Sequence, residues 1–480
     1  MTKKQTVQRT LIAHIKSGIL TVGDKLPSLR EITANSGISI FTALDAYNDL
    51  VSYGILESRP KNGYFILTDD NAKLDMVMRK LALLEFPPPV KLDDVEQERI
   101  ILNYTRNSFL PYTKNRVQLM SESVSPEFFD NNELIRLFIK AVRSLTPGEG
   151  GKIFTESDTS ISLAISKWML PLGCIFQRKL LCVTSNLAEA LILAIRSCYR
   201  NGEYVAVESP GDTNFYRALR FLNIRYIEIR SDPVTGLSVE DLDTYVSNGI
   251  KFSCVLLSPN HSNPTGAIMP EESRLRLILL CRSYEIAVIE NDMLGRLSFS
   301  TEPLRPLKTL DHENVIVVSD LSKILGEDFN LGFIEAGKYS DRLAFIKSIS
   351  GNHVPLAFRN CIAEYMSTPM FRVHVAGLRR NLKTAVTDFS EALTEKAPDS
   401  LKIYPSRGGP YLWCEMPEGK SVKEFLDISH EENLLLAPGR VFSALDDADR
   451  FFRVNCCTIR VKERVIHGAD TLASALRRYL

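Results

Sequence analysis

At 480 residues the chain is long enough for two or three domains and a sizeable core. Its 58 basic and 58 acidic residues cancel, which excludes a global field drawing it to nucleic acid or to an anionic membrane; any such attraction has to be local. The nine cysteines follow no metal or disulfide spacing, no apolar run reaches membrane-spanning length, and the opening M-T-K-K-Q-T-V has no signal core. A cytoplasmic protein with buried free thiols, no metal site and no membrane partner is expected.

Val7, Leu11, Ile12 and Ile15 recur at helical spacing, and Gly18 ends that helix. In the run G-D-K-L-P-S-L-R-E-I (23–32), Ser28 and Glu31 stand at capping-box spacing, so a second helix starts at Leu29 and ends near Gly37. Ser39 caps a third, in which Phe41, Leu44, Ala46, Tyr47, Leu50 and Val51 supply buried and half-buried positions. After Gly54, two short strands flank Asn62-Gly63, the strongest short hairpin signal. Three helices and a hairpin predict a winged helix-turn-helix over residues 1–68, its third helix directed at the major groove of DNA.

The Gly-Asp-x-Leu-Pro-Ser-x-Arg run resembles the GntR family of bacterial regulators. Ile40 stands where that family usually carries an arginine; Ser39 and Thr42 remain as hydroxyl donors, and Arg59 and Lys61 charge the wing. The resemblance implies double-stranded DNA as partner, with Ser28, Arg30, Ser39, Thr42, Arg59 and Lys61 as its contacts. Residues 1–68 hold eight Lys or Arg against five Asp or Glu, the local excess that phosphate binding requires.

Residues 69–116 read as an interdomain linker. Leu74, Val77, Met78, Leu81 and Leu84 suggest one amphipathic helix stopped by Pro87-Pro88-Pro89. Four of the six residues from Asp93 to Glu98 are acidic and read as solvated, with a second helix over Val95 to Tyr104.

Residues 117–480 alternate strands and helices. Tyr204–Val207, Ile224–Ile229, Ser253–Leu257, Ile286–Ile289 and Val315–Val318 are short apolar runs, with helices over Asp130–Val142, Ser162–Leu170 and Glu271–Tyr284. This α/β pattern predicts a parallel sheet covered on both faces, followed by a small α+β subdomain from about residue 366. Val315–Val318 leads to Ser322 and Lys323, at the strand end where such sheets place ligands. A lysine there is either a solvated loop residue or a Schiff-base former.

Three stretches taken together, V-L-L-S-P-N-H-S-N-P-T-G (255–266), S-D-L-S-K (319–323) and F-F-R-V-N (451–455), resemble fold-type I pyridoxal-phosphate (PLP) aminotransferases. That resemblance implies PLP held through Lys323, Ser322, Asn263 and Asn291, with Arg453 for the carboxylate of an effector. A GntR-type head, a linker and an aminotransferase-like body resemble the MocR subfamily of bacterial transcriptional regulators. The likeness implies a homodimer that binds DNA, takes an amino acid or amine as effector, and uses no catalytic residues. A PLP aminotransferase with an appended head and a cofactor-free dimerisation scaffold are the alternatives.

The pocket departs from the family pattern at several places. Asn291 and Leu294 replace the Asp and Tyr of the Asp-Asp-x-Tyr motif, with Asp292 one place on. Asp320 stands three residues before the lysine where Ser or Thr is usual, and Asn330 seven residues after it where Arg is usual. The Gly-x-Gln of the phosphate-binding helix reads Asn186-Leu187-Ala188, and Asp212 takes an aromatic position. A lost arginine contact forfeits roughly 1.5–3 kcal/mol. A carboxylate ~4 Å from a phosphate adds up to ~4 kcal/mol of repulsion per charge pair at an effective dielectric of ~20. Weak PLP binding and absent or vestigial transaminase activity are therefore expected.

Overall fold

Apolar stripes at helical spacing and unbroken β-branched runs alternate along this chain, and each folds as its period dictates. The computed structural model describes residues 3–36, 38–60, 62–83, 95–113, 115–145, 159–177, 180–350 and 353–480. By backbone packing the chain separates into two compact units, the first residues 1–88 with 243–250 and the second residues 89–242 and 251–480. No described helix is long and apolar enough to cross a membrane.

In the first unit α1 (Lys3–Lys16), α2 (Leu29–Ser36) and α3 (Ile40–Ser52) precede a hairpin of β1 (Leu56–Arg59) and β2 (Gly63–Ile66). The hairpin pairs antiparallel from Leu56↔Ile66 to Arg59↔Gly63. Val7, Leu11, Ile12 and Ile15 share one core with Ala43, Ala46, Tyr47 and Leu50. The capping box closes as its spacing requires: the Ser28 N–H donates to Glu31 Oε2 at 2.7 Å, and the Glu31 N–H to Ser28 Oγ at 3.3 Å. Ser39 Oγ accepts from the Thr42 N–H at 3.1 Å, which starts α3. Phe41 departs from expectation and is 76% exposed, because Ala43, Ala46, Tyr47 and Leu50 already occupy the core-facing side of α3.

Residues 69–116, expected as one linker, divide between the two units. In α4 (Asn71–Leu83), Leu74, Val77 and Leu81 enter the core of the first unit. Lys73 Nζ donates to Gly54 O at 3.0 Å, and Lys16 pairs with Asp75. In α5 (Val95–Ser108), Ile101 and Tyr104 are buried in the second unit. An apolar stripe is driven onto a core when one is within reach, whatever the solvated residues beside it. The proline run at 87–89 and the acidic start at 93–94 lie outside the described residues.

In the second unit α5 is followed by β3 (Val117–Gln118), α6 (Asn132–Arg143) and α7 (Thr159–Met169). Its large sheet is built from β4 (Leu181–Thr184), β5 (Tyr204–Ser209), β6 (Tyr226–Asp232), β7 (Gly236–Leu237), β8 (Phe252–Leu257), β9 (Ala287–Asn291), β10 (Val315–Asp320) and β11 (Gly332–Glu335). After β4 comes α8 (Leu187–Cys198), and after β5 comes α9 (Thr213–Phe221). Among the described residues the order is β4-β11-β10-β9-β8-β5-β6-β7. The central strands β10, β9, β8, β5 and β6 run parallel. Every residue of β8, β9 and β10 is buried, which explains runs such as Val315–Val318 with no polar alternation.

The expected parallel sheet is mixed towards its two ends. Strand β11 runs antiparallel to β10 and to β4, and β7 antiparallel to β6. The connection from Asp320 to Gly332 is too short for the dozen or more residues of a parallel crossover, so the chain turns straight back. Beyond the helix Pro369–Lys396, β12 (Lys402–Tyr404), β13 (Tyr411–Glu415), β15 (Ala437–Pro438) and β16 (Phe451–Asn455) form an antiparallel sheet in the order β12-β13-β16-β15. Between them β14 (Leu434–Leu435) pairs with β3.

Because α4 completes the first core, Leu74→Ala should cost that unit about 2–5 kcal/mol. In urea unfolding, a fragment of residues 1–83 should therefore unfold at a higher midpoint than one of residues 1–68. Equal midpoints would show that α4 contributes nothing.

Candidate functional site

The parallel strands bring their carboxyl ends to one edge of the large sheet, and a cavity of about 230 Å³ opens there. Its walls include Tyr104 from α5, Glu122 from the segment after β3, Asp212 before α9, Asp320 and Lys323 at the end of β10, and Tyr411 from β13. Ser322 and Asn263 line it too; Asn291 and Arg453 lie behind it, 3% and 0% exposed.

The end of β10 is held tightly. Register pairs Asp320 with Gly332 on β11, and Gly332 with Thr184 on β4. A Cβ on Gly332 would meet Thr184 Oγ1 at 2.3 Å and Asn186 O at 2.6 Å, so only glycine lets β11 lie this close to the start of α8. Asp320 is thereby brought to that helix's N-terminus. Its Oδ2 accepts the Leu187 N–H at 3.2 Å and the Asn330 Nδ2–H at 3.1 Å. Its Oδ1 accepts the Ser322 hydroxyl at 2.8 Å and the Ser322 N–H at 3.2 Å. A carboxylate at a helix N-terminus is favoured by the helix dipole, and each of these charge-assisted bonds adds to it.

Lys323 is 5% exposed, with Ser322 Oγ at 3.4 Å and Glu327 Oε1 at 3.5 Å from its Nζ. Burial works against its charge, but Tyr411, Glu327, Asp320 and Glu122 outweigh burial and hold the ammonium above the ordinary lysine range. Burial also pushes the Tyr411 phenol up to about 12, so it stays neutral.

A second network lies beneath. Arg453 Nη1 donates to Asn263 Oδ1 at 2.9 Å, and its Nη2 to Tyr104 Oη at 2.9 Å and Met120 O at 2.8 Å. The guanidinium sits 4.2 Å from the Tyr411 ring centroid and 4.9 Å from that of Phe442. Asn263 Nδ2 in turn donates to Asp212 Oδ2 at 3.1 Å, and Asn291 Nδ2 to the same oxygen at 3.5 Å. Asp212 caps α9 through the Asn214 N–H at 2.9 Å. Burial, then the nearby Glu122, raise the Asp212 carboxyl. For Glu122 burial is the largest influence and raises it, but Arg453, Thr213, Lys323 and Tyr104 together hold it below the usual carboxylate range.

Asp292, the neighbour of Asn291, turns away from this site. Its Oδ1 accepts from Asn260 Nδ2 at 3.0 Å, and burial lifts its carboxyl to about 6. Strand alternation puts adjacent side chains on opposite faces, so Asp292 does not take the place of the residue before it. Tyr104, Glu122 and Tyr411 were not among the residues singled out from sequence. Tyr104 falls at the end of the second helix expected in the linker, and nothing in that reading marked it as a wall of the cavity.

In the first unit, Ser28, Arg30, Ser39 and Arg59 are exposed and Thr42 half-buried, at the starts of α2 and α3 and on β1. Arg59 Nε donates to Glu57 Oε1 at 2.7 Å, and its guanidinium lies 4.2 Å from the Phe65 ring centroid. Lys61 lies outside the described residues.

Residues 128–467 match the family described as aminotransferase class I and II, and that decides the body. The chain belongs to the aminotransferase class I and II family. Residues 3–66 match the bacterial regulatory proteins of the gntR family. The two together are the MocR-type arrangement. The uncharacterized HTH-type transcriptional regulator YdcR of Escherichia coli (strain K12) is 27% identical, with 95% of each chain covered. YjiR, another such regulator of that organism, is 26% identical, again over 95% of each. Among solved structures, LysN, an alpha-aminoadipate aminotransferase from Thermus thermophilus, superposes with a TM-score of 0.67 at 21% identity, covering 80% of this chain and 95% of that one. It was solved with N-(5'-phosphopyridoxyl)-L-leucine. The MocR-type regulator is thus similar in fold to PLP aminotransferases, and membership of their family implies PLP.

The Arg453 network carries a stability cost if broken. Arg453→Ala strands Asn263 Oδ1, Tyr104 and two main-chain carbonyls, and should destabilise the body by about 3–5 kcal/mol. Tyr104→Phe removes one hydroxyl and should cost about 1–2 kcal/mol. Denaturant midpoints of the two variants should fall in that order; the reverse order would contradict the geometry.

Proposed function

We propose that this chain is a cytoplasmic, bacterial transcriptional regulator that binds operator DNA as a homodimer, and that its aminotransferase-type body senses a small molecule and does not transaminate. The reading rests on one observation above the others: a gntR-type unit is joined to a body of the aminotransferase family in a single chain. Ser28, Arg30, Ser39 and Thr42 cluster at the starts of two helices, where short polar side chains and an arginine suit phosphate and base-edge contact. Ile40 and Phe41, 44% and 76% exposed, give the start of α3 an apolar surface of the kind that meets thymine methyl groups. Arg59 and Lys61 are the wing's contribution of charge. The dimer is assigned to the body, residues 95–480.

The body keeps the lysine, the Asn263 turn and the arginine, but the surrounding donors are already spent. The groups that would receive a phosphate, the Leu187 N–H, the Ser322 hydroxyl and the amide of Asn330, are bonded to Asp320. Asn291 offers an amide where a protonated pyridine ring would need a carboxylate. PLP does not fit this arrangement, Lys323 is left without its electron sink, and both terminal nitrogens of Arg453 are taken by Asn263, Tyr104 and main-chain carbonyls, its Nε alone having no partner among the described residues. A cofactor-free scaffold is the limiting case of the same reading.

The test is binding of the full-length protein to duplexes selected from a random pool. Specific binding should appear, fall steeply with salt, and weaken by about 1–3 kcal/mol in Arg30→Ala. If protein lacking residues 1–68 shifted the same duplex, the assignment of the head would be wrong. Sedimentation of residues 95–480 at micromolar concentration should report a dimer; a monomer would refute the assignment to the body. Supplied with PLP, amino acids and a keto acid, the protein should show no steady amino-group transfer. Turnover abolished by Lys323→Ala would overturn the non-enzymatic reading.

A further inference from the structure

Given the reading of the head as a DNA-binding unit, on which this rests, the composition of α3 limits how base pairs are told apart. Its 13 residues, I-F-T-A-L-D-A-Y-N-D-L-V-S, include no Lys or Arg. Guanine, which proteins most often read with arginine or lysine, therefore has no such reader on this helix. Of its two acids, Asp49 is spent inside the unit: Lys4 Nζ lies 2.8 Å from its Oδ2, and Gln8 Nε2 donates to the same oxygen at 2.9 Å. Asp45 is exposed, and its carboxylate has no partner among the described residues.

Helical period fixes which side chains face outward. Ala43, Ala46, Tyr47 and Leu50 enter the core, so at about 3.6 residues per turn Phe41 and Asp45 share the ridge on the opposite side. Phe41 is 76% exposed there, and Ile40 beside it 44%. Ser39 holds this turn in place: its Oγ accepts the Thr42 N–H at 3.1 Å and lies 2.8 Å from the Thr42 hydroxyl. An apolar pair bared on a fixed helix is stabilised when apolar surface covers it, and the major groove offers one such group, the 5-methyl of thymine. An unpaired carboxylate on the same ridge is repelled by every phosphate within a Debye length. That repulsion is offset where the carboxylate accepts an amino hydrogen, as from cytosine N4.

We propose that α3 reads its half-site without a cation. Phe41, flanked by Ile40, packs on the 5-methyl group of a thymine, and Asp45 one turn further accepts the N4 amino group of a cytosine. Arg30 on α2 and Arg59 on the wing, both exposed, supply the attraction to phosphate that α3 lacks. Base selection comes from an apolar contact and from an acid that rejects what it cannot pair with. A duplex lacking either group keeps the phosphate contacts and loses the preference.

The test uses the full-length protein and a duplex that it selects from a random pool. Replacing single thymines by deoxyuridine removes one methyl each and leaves the base pairing unchanged. At one thymine of each half-site this should weaken binding about fourfold, the effect of one buried methyl. A 5-methylcytosine·guanine pair at that position should bind more tightly than cytosine·guanine by a similar factor. In the double variant Ile40→Ala, Phe41→Ala the thymine and deoxyuridine duplexes should bind alike, with the thermal midpoint of the free protein within a few degrees of wild type. Asp45→Ala should bind unrelated duplexes more tightly than the wild type does, and lose the preference for one cytosine in each half-site. The proposal is overturned if a duplex with every thymine replaced binds as tightly as the parent, if the double variant keeps the thymine preference, or if Asp45→Ala leaves base preference unchanged at every position. Should the protein select no duplex at all, the DNA-binding reading itself has failed, and the proposal falls with it.

Discussion

A carboxylate at the amino terminus of a helix organises the candidate site. Asp320 is placed there by three strands in register, and Gly332 is what allows the approach, since any side chain would collide with Thr184 and Asn186. Once there, the carboxylate gathers the Leu187 N–H, both donors of Ser322 and the amide of Asn330. Helix dipole and charge-assisted bonds act in the same direction, so the arrangement stabilises the fold.

The same pattern recurs a few residues away. Asp212 caps α9 and collects the amides of Asn263 and Asn291, while Asn263 passes the connection on to Arg453. Arg453 is held by Tyr104, so a helix from the stretch expected to be linker becomes part of the cavity wall. A buried guanidinium would be costly alone, but its Asn263, Tyr104 and main-chain partners and the flanking rings of Tyr411 and Phe442 compensate it. The aminotransferase architecture is retained while its polar groups are paired among themselves.

Much of this was legible in the sequence. The capping box at Ser28 and Glu31 and the cap at Ser39 are local rules that tertiary structure did not disturb; the hairpin expected after Gly54 forms too, with Gly63 not in its turn but opening β2 opposite Arg59. The unbroken apolar runs of β8, β9 and β10 named the buried sheet, and the order of the Asn263, Lys323 and Arg453 stretches named its ligand edge. What escaped was non-local. Strand β11 is antiparallel because of a short connection, and its run is too brief to announce a direction. The stripe of α4 and the helix of α5 were visible, but which core would cover them was not. From sequence, Asp320 was a repulsion at a phosphate site; that it is a helix cap depends on Thr184, Gly332 and Leu187 meeting in space.

The most direct measurement is a titration of PLP into the wild-type protein and into the double variant Asp320→Ser with Asn330→Arg, followed by the visible absorption of the bound cofactor. If the anion cup is closed by its own carboxylate, the wild type gives no saturable band and the double variant acquires one, with affinity higher by a factor of ten or more. Stoichiometric cofactor on the wild-type protein as purified, or identical weak titrations for both proteins, would contradict that view of the site.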